Sequence, residues 1–114
     1  MEQPAENPVV RVDVQDVTLP VPRTVGRIVS RRITIAPGAA SGVHIHNGPV
    51  VGSIEAGSAV YQVEGEKERL LSPGDVFYEQ EAVRIARFDA GPDGVTFLAH
   101  FPVDADTDPT IEFP

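Results

Sequence analysis

The chain has 114 residues, a formal net charge of −8 and no cysteine. The length fits one domain with a single core, and the missing cysteines exclude disulfides, thiolate ligands and a cysteine nucleophile. The acidic balance argues against a nucleic-acid partner, because phosphate binding needs a concentrated basic patch. No apolar run is long enough to span a membrane and the N-terminus has no signal-peptide pattern, so we expect a soluble, cytoplasmic protein without a membrane partner.

Short strands joined by tight turns dominate the predicted organisation. Eleven prolines and ten glycines are spread along the chain, which is typical of many turns rather than of a linker. Residues 1–8 are predicted to be a flexible N-terminal segment, 9–103 a single all-β domain, and 104–114 an acidic, proline-containing C-terminal tail. The predicted strands are residues 9–14, 25–35, 43–46, 50–55, 59–64, 76–79, 83–88 and 95–101.

Two histidines lie one residue apart in the predicted strand 43–46. Because side chains alternate between the faces of a strand, His44 and His46 project to the same side. They can therefore share one ligand or one metal ion. The H-x-H pattern alone is weak evidence, since histidine is also a common half-buried strand residue.

The spacing around this pair resembles the first conserved motif of the cupins, G-x5-H-x-H-x3-E-x6-G. Four positions keep its frame, namely Gly38, His44, His46 and Gly57. Val50 occupies the glutamate position, and its side chain cannot coordinate a metal. We expect Val50 to form an apolar wall beside the histidines and any bound metal to be held weakly.

A second motif of the same family is matched further along the chain. Residues 71–79, Leu-Ser-Pro-Gly-Asp-Val-Phe-Tyr-Glu, resemble the start of the second cupin motif, whose usual histidine position falls on Arg84. The chain thus resembles small single-domain bacterial cupins over residues 33–101. This resemblance implies that residues 9–103 form a cupin-like jelly-roll β-barrel of two antiparallel sheets.

Two further residues are candidates to complete a site around the pair. Glu79 ends a predicted strand and is either a ligand or general base, or a polar strand terminus. His100 lies in a run that is apolar on both faces, so it is expected to be buried, either facing the pair or hydrogen-bonded in the core. Our candidate metal ligands are therefore His44, His46 and His100, and Glu79 is the candidate catalytic residue.

The position of Arg84 distinguishes an anion-binding cavity from a metal-binding one. Inside the cavity, its permanently charged guanidinium would repel a divalent cation and favour an anionic ligand. If the register slips by one residue, Val83 takes the histidine position and Arg84 is a surface charge. Gln62 points its amide either into the barrel or towards solvent. The candidate ligand-binding residues are Arg84, Gln62, Tyr61 and Phe77.

These residues support two hypotheses of different classes. The first is a metal-dependent enzyme, an oxygenase, isomerase or lyase, acting on a small organic molecule at zinc, iron, nickel or manganese, with no nucleotide cofactor. The second is a non-catalytic cupin module that binds a small anionic ligand. The predicted strands 25–35 and 95–101 carry apolar residues on both faces, so we also expect a homodimer.

Overall fold

The computed structural model describes residues 8–114, and its regular elements are all β-strands. They are β1 (Arg27–Ile35), β2 (Ile45–His46), β3 (Val50–Val63), β4 (Arg69–Leu71), β5 (Val76–Glu79), β6 (Ile85–Val103) and β7 (Ile111–Glu112). Within residues 8–114 no helix is long and apolar enough to cross a membrane. The predicted flexible segment 1–8 lies, except for Pro8, outside the described residues.

The strands form two antiparallel sheets. The larger has five strands in the order β1-β6-β3-β4, with β5 also paired to β3, and the smaller consists of β2 and β7. All of the strand pairs are antiparallel. The structure confirms the predicted all-β jelly-roll β-barrel.

Two of the strands are much longer than the sequence indicates. The predicted strands 50–55 and 59–64 are joined in β3, and 83–88 and 95–101 are joined in β6. Gly57 and Gly94 have φ angles of 75° and 78°, a region that glycine enters without steric cost. A Cβ on Gly57 would collide with the Gly94 carbonyl. The glycines expected to end strands therefore form bulges within them, where the β3–β6 register shifts.

An aromatic cluster fills the space between the two long strands and β5. Phe77, Phe88 and Phe97 are buried, and their ring centroids lie 4.5 to 5.7 Å apart. Tyr61 joins them with its ring centroid 5.6 Å from that of Phe88. These distances are typical of favourable edge-on and offset ring contacts. The cluster thus joins β3, β5 and β6 through side-chain packing.

The two ends of the chain differ from their predicted states. The predicted strand 9–14 is not formed, and Val10 and Val12 are 84% and 76% exposed outside both sheets. The segment expected as an acidic tail packs back on the domain instead, because Ile111 pairs with His46 and Glu112 with Ile45. The C-terminal segment thereby reaches the strand that carries one of the paired histidines.

Candidate metal centre

The two paired histidines project into the interior of the barrel. His44 is bridged to Ile85, with backbone hydrogen bonds of 3.1 and 2.9 Å that place it beside the start of β6. His46 lies on β2, and the two imidazole centroids are 5.0 Å apart. His44 is 4% exposed and the side chain of His46 is 10% exposed. The alternation of side chains predicted from the H-x-H pattern is thus realised on one face.

Glu79 meets both histidines from the end of β5. Its carboxylate is buried, and one oxygen, Oε1, lies 2.9 Å from His46 Nε2 and 3.3 Å from His44 Nε2. The ligand atoms that the three residues can offer all lie within 4.8 Å of one another. Two imidazoles and a carboxylate are a donor set used for zinc and other divalent transition metals, with positions left for water or substrate.

The carboxylate of this cluster comes from the strand beside the motif position. Val50 and Glu79 are direct partners in the β3–β5 ladder, and both face the same cavity. Opposed side chains in an antiparallel pair have Cβ atoms roughly 5 Å apart, within reach of one shared ligand. Glu79 therefore brings a carboxylate to the cavity from the position opposite Val50, the residue at the motif's glutamate position.

The hydrogen bonds of His44 fix which of its nitrogens can bind a cation. A carbonyl oxygen only accepts, so the 2.9 Å contact with the Gly42 carbonyl requires a proton on His44 Nδ1. In the neutral ring, the lone pair of Nε2 then faces the Glu79 carboxylate. His44 Nε2 and Glu79 Oε1, 3.3 Å apart, would repel each other unless a second proton on the imidazole or a metal ion lies between them.

The electrostatics of the metal-free cluster agree with this geometry. Burial favours the neutral form of Glu79, but the hydrogen bonds from His44 and His46 outweigh it and lower the pKa of the carboxyl group. Burial likewise opposes charging of His44, but its hydrogen bonds to Glu79 and Gly42 raise the pKa of its imidazole. The carboxylate thus keeps its negative charge and favours a positive charge on His44.

His46 is held differently from His44. Its Nδ1 is buried and, within the described part of the chain, has no hydrogen-bond partner. Its ring is positioned by the contact of Nε2 with Glu79 and by packing, with its centroid 5.8 Å from that of Phe101. Because a partner on the second nitrogen usually orients a ligating histidine and raises its basicity, we expect His46 to be the weaker of the two imidazole ligands.

A cavity of about 380 Å³ opens beside the three residues. Its walls include Val50 and Phe77. Its volume lies within the range of about 300 to 1,000 Å³ that is usual for small-molecule pockets. Val50 therefore forms the apolar wall expected from the sequence.

His100 does not join the other histidines. It follows Ala99 and precedes Phe101, which both line the cavity, so strand alternation directs its side chain to the opposite face. There its Nδ1 lies 2.6 Å from the hydroxyl oxygen of Ser30 on β1. The geometry therefore places the candidate ligand His100 on the face opposite His44 and His46.

Arg84 lies outside the cavity. It precedes the buried Ile85, its side chain is 53% exposed, and its guanidinium is 3.8 Å from the carboxylate of Glu64. Of the two alternatives for this residue, the structure shows the surface charge. Because Arg84 points away, it supplies no cation to an anion inside the barrel.

The other candidate ligand-binding residues occupy three different environments. Phe77 lines the cavity. Tyr61 is buried beside it but donates its hydroxyl hydrogen to the Tyr78 carbonyl, and burial, with the charge of Glu79, raises the pKa of its phenol. Gln62 is half-buried and donates to the carbonyl of Glu66 in the following turn. Only Phe77 of this group faces the cavity.

Two residues of the C-terminal segment belong to the site but were not among the candidates. Ile111 lines the cavity from β7, and the ring centroid of Phe113 lies 6.5 Å from that of His44. The acidic, proline-containing composition of this segment is typical of an exposed tail, so its residues were not predicted to contact the site. The isolated apolar pair at positions 111 and 113, spaced to share a strand face, was the available signal.

Comparisons with known structures identify the architecture. The chain is similar to the DMSP lyase DddQ from Ruegeria pomeroyi DSS-3, with 23% identity, a TM-score of 0.64 and coverage of 73% of this chain and 42% of that one. It is similar to an oxalate oxidase solved with the substrate analogue glycolate, with 20% identity, a TM-score of 0.64 and coverage of 75% and 45%.

A third similar structure is closer in size. It is an RmlC-like cupin from Shewanella frigidimarina NCIMB 400, with 23% identity, a TM-score of 0.59 and coverage of 69% of this chain and 68% of that one. The chain spans less than half the length of the lyase and the oxidase. No protein-family model and no curated protein matches the sequence. The structural likeness shows that the domain has the cupin fold.

Proposed function

We propose that this protein is a metal-dependent cupin that acts on a small organic molecule. His44, His46 and Glu79 hold a divalent transition metal, and the adjoining cavity receives the substrate. The single observation that carries this proposal is the convergence of two imidazole nitrogens on one buried carboxylate oxygen, at 2.9 and 3.3 Å.

The residues present fit such a metal ion. The three donors are almost fully buried and come from two separate chain segments that meet at one corner of the barrel. A bound divalent ion supplies Lewis acidity, which polarises a substrate oxygen and lowers the pKa of a coordinated water. With three protein donors, positions remain for a substrate or a water.

The surrounding residues prepare the site for this role. The Gly42 carbonyl keeps the proton of His44 on Nδ1, so the lone pair of Nε2 is available to coordinate the metal. Phe101 and Val50 limit access of water to the donors, since both are buried against the cavity. In a drier site, electrostatic interactions with the substrate are stronger than they are in bulk water.

The alternative proposal, a module for an anionic ligand, depended on Arg84. That residue is exposed and pairs with Glu64, so it does not contribute to an anion site inside the barrel. Two of the proteins with similar structures, a DMSP lyase and an oxalate oxidase, act on small organic molecules. They support the general class of the proposal, an oxygenase, isomerase or lyase.

Metal titration of protein purified without a histidine tag tests the proposal. Wild type and the double variant His44→Ala, His46→Ala are titrated with zinc, iron(II), nickel and manganese. We expect wild type to bind one equivalent of at least one metal and the double variant to lose that binding. His100→Ala is the matched control and should bind as wild type does. Equal binding by wild type and the double variant would contradict the proposal.

We also propose that the protein forms a homodimer. β1 lies at the edge of the larger sheet, and Ile28 on this strand is 66% exposed. An edge strand with exposed apolar side chains can be covered by a second copy of the chain. Light scattering at micromolar concentration should give twice the sequence mass of 12.2 kDa. A mass equal to the sequence value would rule the dimer out.

A further inference from the structure

The walls of the cavity differ in character from its metal-binding corner. Four phenylalanines line the cavity, namely Phe77, Phe88, Phe97 and Phe101. They face it from β5 and β6 and are all less than 8% exposed, so their rings are fixed by packing. Together with aliphatic residues such as Ile33, Ile35 and Val50, these rings give the cavity largely apolar walls that are in part aromatic.

The hydroxyl groups at the rim already have hydrogen-bond partners. Thr34 Oγ1 lies 3.0 Å from Thr96 Oγ1, and the hydroxyl of Ser41 donates to the carbonyl of Gly42 at 3.1 Å. The other polar side chains lining the cavity are His44, His46 and Glu79. The polar recognition of a ligand is thus concentrated at the metal-binding corner.

No lysine or arginine in the described chain lines this cavity. Arg31 lies 5.2 Å from the ring centroid of Phe101, but it is exposed and stands outside the cavity. A divalent cation beside the single carboxylate of Glu79 keeps one uncompensated positive charge. One anionic group on a ligand is therefore balanced, whereas a second would be desolvated against aromatic walls without a partner.

We infer that the substrate is a small molecule with one oxygen-bearing head group and an uncharged, largely apolar body, carrying at most one negative charge. The head group binds at the corner formed by His44, His46 and Glu79, and the body packs against the phenylalanines. This inference rests on the proposed metal site for the head group, while the apolar body follows from the cavity walls alone. It excludes dicarboxylates whose second carboxylate would face the aromatic wall.

Three carboxylates of matched shape test this inference on the zinc-loaded protein. The probes are benzoate, 4-methylbenzoate and terephthalate, which differ only in the group at the far end of the ring, and acetate serves as the head group without a body. Calorimetric titration should show 4-methylbenzoate binding at least about tenfold more tightly than acetate, because the ring and methyl group are buried. Terephthalate should bind at least about tenfold more weakly than 4-methylbenzoate. Equal affinities for terephthalate and 4-methylbenzoate, or for acetate and 4-methylbenzoate, would overturn the inference.

A charge introduced into the wall provides the reciprocal test. Ile111 lines the cavity from β7 and is 48% exposed, so its replacement need not disturb the core. Ile111→Arg should raise the affinity for terephthalate relative to 4-methylbenzoate by about tenfold. Ile111→Gln, which is polar but uncharged, should leave this ratio within about twofold of wild type. An unchanged ratio in the arginine variant would count against the charge argument.

A metal-free measurement separates this inference from the proposed metal site. p-Xylene has an apolar body and no head group, so its binding needs only the aromatic walls. In chelator-treated protein, it should shift the methyl resonances of Val50, Ile33 and Ile35, which line the cavity. Shifts without any zinc binding would refute the metal site and retain the apolar cavity. Zinc binding without shifts would refute the apolar body and retain the metal site.

Discussion

Moving the carboxylate from position 79 to position 50 should preserve the metal centre. Val50 and Glu79 face each other across the β3–β5 ladder and line the same cavity. The double variant Val50→Glu, Glu79→Val exchanges the two side chains without changing the composition or the net charge. We expect this exchange to place a carboxylate oxygen beside His44 and His46 again, from the neighbouring strand.

The expected changes in metal affinity and in stability follow from the burial and the contacts of the Glu79 carboxylate. Opposed Cβ atoms are about 5 Å apart, a displacement that a glutamate side chain can span. Removing a group that supports a metal ligand lowers affinity by about 10- to 100-fold, so loss of a ligand itself in Glu79→Val should cost at least about 100-fold. The exchanged variant should return to within about tenfold of wild type. Val50→Glu alone buries a second carboxylate and should destabilise the metal-free protein by about 3 to 5 kcal/mol.

Zinc affinity measured by competition with a chromophoric chelator distinguishes these outcomes. The matched control is Val51→Glu combined with Glu79→Val, because residue 51 is opposite Tyr78 and projects from the other face of β3. This control should bind zinc as weakly as Glu79→Val does. If the exchanged variant binds no better than the control, the two positions do not serve the same metal and the reasoning fails.

Three further outcomes follow from the structure. His100→Ala should leave zinc affinity within about twofold of wild type and lower the free energy of unfolding by about 1 kcal/mol, the contribution of its bond to Ser30, as urea titration would show. Gly52→Ala should destabilise the fold by about 3 kcal/mol in the same assay, because the added methyl collides with backbone of the neighbouring strand. In metal-free protein, the lowered pKa of Glu79 adds stability above its ordinary value of 4.5, which is lost as pH falls through the folded value. The raised pKa of His44 adds stability below 6.5, which is lost as pH rises through the folded value. The stability difference between wild type and Glu79→Val should therefore be largest between about pH 4.5 and 6.5 in thermal melts, and a flat difference would contradict the pairing of these groups.

The fold was predictable because its signals are local. The turn residues and the alternating strands around His44 and His46 indicate an all-β fold, and the spacing of the motif residues indicates a cupin-like barrel. The lengths of β3 and β6 were not predictable, because Gly57 and Gly94 are compatible with both a turn and a bulge. The close approach of Gly57 to Gly94 favours the bulge over the turn, and it is a contact between residues that are far apart in the sequence.

The candidate site was predictable where side-chain alternation within one strand settles the geometry. Side-chain alternation therefore places His44 and His46 on one face. It does not define the face of His100, because the residues on both faces of that strand are apolar. The direction of Arg84 depends on the length of the turn between β5 and β6, and one residue of register reverses it. The position of Glu79 opposite Val50 depends on pairing between strands that the sequence does not specify.

The location of a bound metal tests the central claim most directly. Crystals of wild-type protein grown with zinc, measured on both sides of the zinc absorption edge, give an anomalous difference map that locates the ion independently of any assumption about ligands. We predict one strong peak enclosed by His44 Nε2, His46 Nε2 and a carboxylate oxygen of Glu79, and none at His100. An empty cluster, or a peak bound only elsewhere on the molecule, would contradict the assignment of these residues as a metal centre.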